Sequence, residues 1–144
     1  MKQSDRETVS FLIFSINSRI YAIDIALVQE IAQNAKVHPL PFVPSYIEGV
    51  INCVGTAYVA VNPLILFPSE TPESTNIENP NYLIFKRDDD QFCIHISTIE
   101  IFYEVLIEDY DDVVEGEFLH YKNRRVKIFN PDEVEASLLK DLRS

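Results

Sequence analysis

The chain repeats itself. Phe11-Leu12-Ile13-Phe14, then six residues, then Tyr21-Ala22-Ile23-Asp24-Ile25 returns 71 residues later. The second copy reads Tyr82-Leu83-Ile84-Phe85, six residues, then Phe92-Cys93-Ile94-His95-Ile96. No gap is needed, and Val28 and Ile31 go on to match Ile99 and Phe102. A second pair of features ends each half. Glu48-Gly49 leads through an alternating apolar run to Asn62-Pro63, and Glu115-Gly116 leads to Asn130-Pro131, with spacings that differ by one residue. Matched features in the same order describe a duplicated unit. A unit of roughly 60–70 residues buries too little surface to be stable alone. The two halves must therefore share a large apolar contact, which a hydrophobic content of 47% can supply.

Within each half the elements read as short strands. Tyr21, Ile23 and Ile25 alternate with Ala22 and Asp24, and Phe92, Ile94 and Ile96 with Cys93 and His95, the period of half-buried strands. Polar connectors suited to hairpins precede both, Asn17-Ser18-Arg19 and Arg87-Asp88-Asp89-Asp90. Ala57–Val61 and Arg125–Phe129 are further strands, and Pro39, Pro41 and Pro44 mark a connecting loop between Val37 and Tyr46. Each Asn-Pro pair places a preferred N-cap before a residue suited to the first helical position. After Pro63 only a turn, Leu64–Phe67, fits before Pro68. After Pro131 the acidic Asp132 and Glu133 favour a helix start. Val134, Leu138 and Leu142 share one face with Leu139 beside them, so an amphipathic helix over 131–142 should dock on the rest. The polar run from Ser69 carries no apolar periodicity and reads as a loop. The expected fold is mainly β: one domain over 8–144, with lobe 1 at about 8–68, a linker at 69–80 and lobe 2 at about 81–144. The two lobes are pseudo-symmetric, partly open barrels packed on each other.

The charge narrows the function. A net charge of −11 repels nucleic acids and anionic membranes. The polar start Met1–Glu7 does not read as a signal peptide, and no apolar run approaches the roughly 20 residues of a membrane span. Cys53 and Cys93 make no CxxC or zinc spacing and read as small reduced core residues, which points to the cytoplasm. His38, His95 and His120 have no metal-ligand spacing, and His95, standing where the first half has Asp24, reads as a surface or boundary residue. No G-x-S-x-G elbow accompanies Ser10 or Ser97, and three glycines build no phosphate loop. Seven acidic residues from Glu104 to Glu117 lack calcium-loop spacing. They read as a solvated connection or as a docking strip for a basic partner face. Nothing here indicates catalysis, a metal or a cofactor.

At this point a family resemblance emerges. Tyr21-Ala22-Ile23-Asp24-Ile25, Val28-Gln29-Glu30-Ile31, Pro41…Pro44, Ile47-Glu48-Gly49-Val50-Ile51-Asn52 and Gly55 resemble the CheW-like domain, from Phe11 to about Leu139. That resemblance implies two SH3-like barrels and a non-catalytic chemotaxis adaptor, coupling a chemoreceptor's helical tip to a histidine kinase's regulatory domain. It implies a partner-binding groove near Val28, Glu30, Val54, Tyr82 and Phe102, and kinase-contact turns at Gly49 and Gly55. Each groove candidate also reads as an ordinary core residue, and Glu30 as a solvated strand residue or a hydrogen-bond partner within its lobe.

Three departures set this chain apart. The family's N-L-R-G is Asn52-Cys53-Val54-Gly55 here, without the arginine. Its P-V-x-D-L-R is Val59-Ala60-Val61-Asn62-Pro63-Leu64, and its second-lobe G-(I/L)-x-V-D is Cys93-Ile94-His95-Ile96-Ser97. Losing one charge-assisted hydrogen bond, about 1.5–3 kcal/mol, weakens a partner roughly 10- to 100-fold. A divergent adaptor with altered partners is the expectation. The alternatives are a stand-alone interaction module of the same fold outside chemotaxis and, more distantly, an enzyme or small-ligand binder using the cleft between lobes. Exposed strand edges would let two copies pair, and the sequence leaves the oligomeric state open.

Overall fold

Polar turns and prolines cut the apolar runs into short strands. A computed structural model describes residues 7–71, 73–87 and 91–143, without the side chains of 141–143. The first half contributes β1 (Thr8–Ile16), β2 (Arg19–Asp24), β3 (Val28–Ala32), β4 (Ile47–Cys53), β5 (Thr56–Val61) and a one-turn helix α1 (Pro63–Leu66). The second contributes β6 (Asn81–Phe85), β7 (Phe92–Ile96), β8 (Thr98–Leu106), α2 (Tyr110–Val113), β9 (Val114–Glu115), β10 (Phe118–Tyr121), β11 (Arg124–Ile128) and α3 (Pro131–Arg143). The chain is mainly β with a C-terminal helix.

Strand pairing reproduces the duplication residue by residue. In the β3–β6 pair Val28 faces Phe85, Ile31 faces Leu83 and Ala32 faces Tyr82. Adding 71 to the β3 positions and subtracting 71 from those in β6 gives the β8–β1 register: Ile99 faces Phe14, Phe102 faces Leu12 and Tyr103 faces Phe11. Even the bulge recurs, between Val28 and Glu30 in one strand and between Ile99 and Ile101 in the other. The parallel pairs match too: Ala60 with Cys93, and Ile128 with Ala22. One sequence match is not a structural one. Gly49 lies inside β4 opposite Ala60, whereas Gly116 lies in the turn between β9 and β10.

Neither sheet is confined to one half of the chain. One sheet runs β8-β1-β2-β11-β10-β9 and the other β3-β6-β7-β5-β4. Each half thus sends its first hairpin, β1–β2 or β6–β7, into the sheet built by the other half's later strands. The boundaries at 68 and 81 delimit the repeats, and each lobe draws on both repeats.

Both sheets curl towards closure. In the first, here called barrel A, Tyr103 on β8 meets Tyr121 on β10 with ring centroids 5.0 Å apart, although three strands lie between them. Inside it pack Phe11, Ile13, Ala22, Leu119 and Val126. Inside the second, barrel B, pack their repeat equivalents Tyr82, Ile84, Cys93, Ile51 and Tyr58. A third, larger core lies between the barrels, where Leu12, Phe14 and Ile23 meet Leu83, Phe85 and Ile94. The exchanged hairpins therefore bury both faces, one in a barrel and one between barrels. That corrects the half-buried reading of these strands: Ala22 and all five residues of β7, His95 included, are buried, and Ile25 has left the strand for a 3-10 turn capped by Asp24. Alternation arises here from two different apolar environments, which hydropathy alone does not distinguish.

The Asn-Pro signals perform as caps. Asn62 Oδ1 accepts from the amides of Leu64 (2.9 Å) and Ile65 (3.3 Å), and Asn130 Oδ1 from that of Asp132 (2.9 Å). Val134 and Leu138 carry α3 onto the central core; the side chain of Leu142 lies outside the described residues, as do Asp88–Asp90 of the expected hairpin connector.

Candidate partner-binding site

The sequence candidates fall into two groups. Val28 is buried in the central core, and Tyr82 is 2% exposed inside barrel B. Glu30, Val54 and Phe102 are exposed. Glu30 and Val54 come together at the seam of barrel B, where edge strand β3 approaches the β4–β5 hairpin. Two side-chain bonds stitch that seam: the Cys53 thiol donates to Glu30 Oε2 at 3.1 Å, and Gln29 Nε2 donates to the Tyr58 hydroxyl at 2.9 Å. Phe102 stands apart, 60% exposed on β8, the edge strand of the other sheet.

The hairpin turn beside the seam is strained. Val54 and Gly55 have φ of 49° and 81°, so both central residues of this two-residue turn are left-handed. That is the type I′ geometry matching the twist of paired strands, normally filled by Asn or Gly. Gly55 suits it; Val54, β-branched, does not. Its side chain is nevertheless 87% exposed, an apolar group presented to solvent on a conformation that disfavours it. Gly49 answers to space as well as conformation. At φ 146° its α-carbon lies against the His38 carbonyl, where a Cβ would collide, and the neighbouring His38–Val50 bridge closes with bonds of 2.8 and 2.9 Å.

Beneath the site lies a polar network that the sequence did not reveal. The Tyr82 hydroxyl donates to Glu48 Oε1 at 2.7 Å, and the other carboxylate oxygen of Glu48 lies 2.8 Å from His95 Nδ1. His95 Nε2 donates to the Asn79 carbonyl at 2.6 Å, and its ring stacks on Tyr82 with centroids 4.4 Å apart. The effect is structural: strand β4, strand β6, strand β7 and the linker are tied at one point.

The reactive groups are quiet. Burial, then the bond to Glu48 and its charge, pushes the Tyr82 phenol well above its usual range. Burial, then the Glu48 charge, does the same to the Cys93 thiol, and burial, then the bond to Glu30, raises Cys53. Protonated thiols are poor nucleophiles and poor metal ligands. Ser97, considered above as a nucleophile, accepts from the Asn17 amide at 2.7 Å and sits far from any such role in a buried turn. Among the described residues no three His, Cys, Asp or Glu side chains gather as a metal site, and no helix is long and apolar enough to cross a membrane. A groove of about 440 Å³ between the proline loop, β5, β7 and α3 is lined by apolar residues including Leu40, Val43, Ile47, Phe92 and Leu138. Gln91 and Glu135 are its main polar groups, a poor complement for catalysis.

Two curled sheets around separate cores, joined by a third core, define a two-barrel β scaffold. The family model for the CheW-like domain matches residues 10–120. The chain belongs to the CheW-like domain family, the adaptors and scaffolds of chemotaxis signalling, and its lobes are the SH3-like barrels of that fold. Among solved structures it is similar to the crystal structure of the scaffolding protein TtCheW from Thermoanaerobacter tengcongensis. The TM-score is 0.66 at 16% identity, covering 86% of this chain and 90% of that one. No curated protein matches the sequence.

Proposed function

We propose that this protein is a non-catalytic cytoplasmic coupler that binds a chemoreceptor's helical tip and a histidine kinase's regulatory domain, with a partner set altered from that of the wider family. The receptor-side contact is the seam of barrel B, where Glu30 supplies charge and Val54 an apolar tip. Phe102 offers a second apolar contact on barrel A, and Val28 and Tyr82 support the two surfaces from within. Gly55 shapes the β4–β5 turn that meets the kinase; Gly49, expected in such a turn, lies instead within strand β4 and supports it through its close approach to His38. The observation that carries this reading is Val54: a folding chain gains nothing from an exposed β-branched residue in a left-handed turn, and a contact with a partner would account for its presence there.

The test is titration calorimetry of the purified protein against a receptor helical-hairpin tip and a kinase regulatory domain. Binding of at least one, weakened more than tenfold by Val54→Asp with melting temperature unchanged, is the expected result. Val54→Arg should restore ordinary receptor affinity if the missing arginine narrows the partner set. Normal binding of both partners by the wild type, indifferent to either substitution, would refute the altered partner set.

A further inference from the structure

The proline loop between β3 and β4 carries an aromatic ring that the fold leaves outside. Phe42 is fully exposed and has φ of 59°. It follows Pro41 as the second central residue of a turn, a left-handed place normally filled by Gly or Asn. A bulky aromatic residue there is an outlier in backbone and in exposure together. The duplication supplies a contrast. In the second half the matching connection, from β8 to β9, turns its aromatic residue inward: Tyr110 stacks on Phe11 with centroids 6.4 Å apart, and Val113 packs against the same barrel A core. The architecture does not itself require an outward ring.

An unfilled apolar groove lies beside that ring. Leu40, Val43 and Pro44 of the same loop line the groove of about 440 Å³ together with Leu138 and Leu139 of α3. Leu40 and Leu139 are themselves 40% and 42% exposed, which extends the apolar surface from the groove to Phe42. The charged group in the lining is Glu135, and Arg87 holds its carboxylate at 2.6 Å while reaching Asp132 at 2.7 Å. An apolar visitor therefore meets little uncompensated charge. Phe42 does not fill its own groove, since a side chain so exposed touches little of its own molecule. We infer that Phe42 of one copy of this chain enters the proline-loop groove of a second copy, which returns its own Phe42 in exchange. One surface serves both copies, so the contact closes as a two-fold dimer with no free end. A second copy is the occupant that covers ring and groove in one step, because the chain carries the two parts side by side. The seven residues of β4, roughly 20 Å, separate Phe42 from Val54, so the barrel B seam stays open in the dimer. A buried Phe covers about 150–250 Å². Even with Leu40 and Leu139 added, each copy falls short of the roughly 800 Å² of a tight interface, and the dimer is a weak one.

Sedimentation velocity from about 10 µM to about 1 mM spans the affinities such a contact gives. Wild type should pass from monomer to dimer with rising concentration and stop there. Raising salt to about 0.5 M should strengthen the dimer, because it screens the repulsion between two chains of net charge −11 and leaves an apolar contact intact. Phe42→Asn, which suits the left-handed turn, and Leu139→Lys, at the groove rim, should each weaken dimerisation at least tenfold. The melting temperature of monomeric Phe42→Asn should be unchanged or higher. Mixed in equal amounts, the two variants should regain part of the association as a heterodimer, in which one intact ring meets one intact groove. A wild type monomeric to about 1 mM, growth beyond a dimer, or a dimer indifferent to Phe42→Asn would overturn the inference. A mixture no more associated than either variant alone would do so too. Weaker binding of a receptor tip or a kinase regulatory domain by Phe42→Asn would assign the groove to that partner and overturn it equally.

Discussion

Val54, Gly49 and Tyr82 illustrate three ways a single residue constrains this fold. A left-handed β-branched residue costs about 1–2 kcal/mol, whereas Asn tolerates that conformation. Val54→Asn should therefore stabilise the protein by about 1 kcal/mol in urea melts while weakening partner binding. Gly49→Ala should destabilise it. Its new methyl meets backbone at His38, which cannot move without breaking the His38–Val50 bridge, so a loss of about 2–4 kcal/mol is expected. Tyr82 sets a pH dependence. Its folded phenol is raised above the ordinary value of about 10, so the unfolded chain releases that proton first. Its contribution is complete below that pH and fades as pH rises further. Urea melts between pH 8 and 11 (approximate limits set by that value) should show a steeper loss of stability in wild type than in Tyr82→Phe. The sequence marked Gly49, Val54 and Tyr82 as positions of interest. It did not identify His38 and Glu48 as the partners of Gly49 and Tyr82, because those contacts arise only when distant strands meet. Likewise, His95 in the place of Asp24 looked like a surface residue, and the carboxylate of Glu48 and the Asn79 carbonyl together make its burial tolerable.

The elements were legible where local chemistry decides them. Asn62 and Asn130 each signalled a helix start, and each caps one. They are not equal, however. Asn62 is buried and its side-chain amide also donates to the Thr75 carbonyl at 2.9 Å, holding the linker down, whereas Asn130 is exposed. Asn130→Ala should cost about 1 kcal/mol, an ordinary cap, and Asn62→Ala about 2 kcal/mol or more. Thermal unfolding of the two variants would check the order. Strand register was harder. The gapless match over β1–β2 and β6–β7 predicted equivalence and the pairing confirms it, down to the bulge. The Glu-Gly match failed by one residue, because a glycine can be selected by a tight approach inside a strand or by a hairpin turn.

At the scale of the molecule, duplication was evident in the sequence and the exchange of hairpins was not. Hydropathy records that β1 and β6 are apolar on both faces, but not which half supplies the cover. The exchange has a direct consequence: fragments 1–72 and 73–144 should each lack a complete barrel. Expressed alone, each should give the circular dichroism of an unfolded or aggregated chain; mixed, they should recover native β signal and a cooperative melt. Independent folding of either fragment would contradict the strand order. The family's fold followed from the first-half motif, while the seam chemistry that distinguishes this member emerged only once equivalent strands could be laid side by side.

The shared hairpins also bear on how the barrel B seam and its repeat counterpart, between β8 and the β10–β11 hairpin, came to differ. A chain of half this length would have an apolar hairpin it could cover only by lending it to a twin and borrowing the twin's in return. Both seams of such a pair would carry identical residues. Covalent fusion lifts that requirement, since each copy of a position can then mutate alone while its partner keeps the old chemistry. Glu30 against Ile101, and Val54 against Lys122, are what that freedom has left behind.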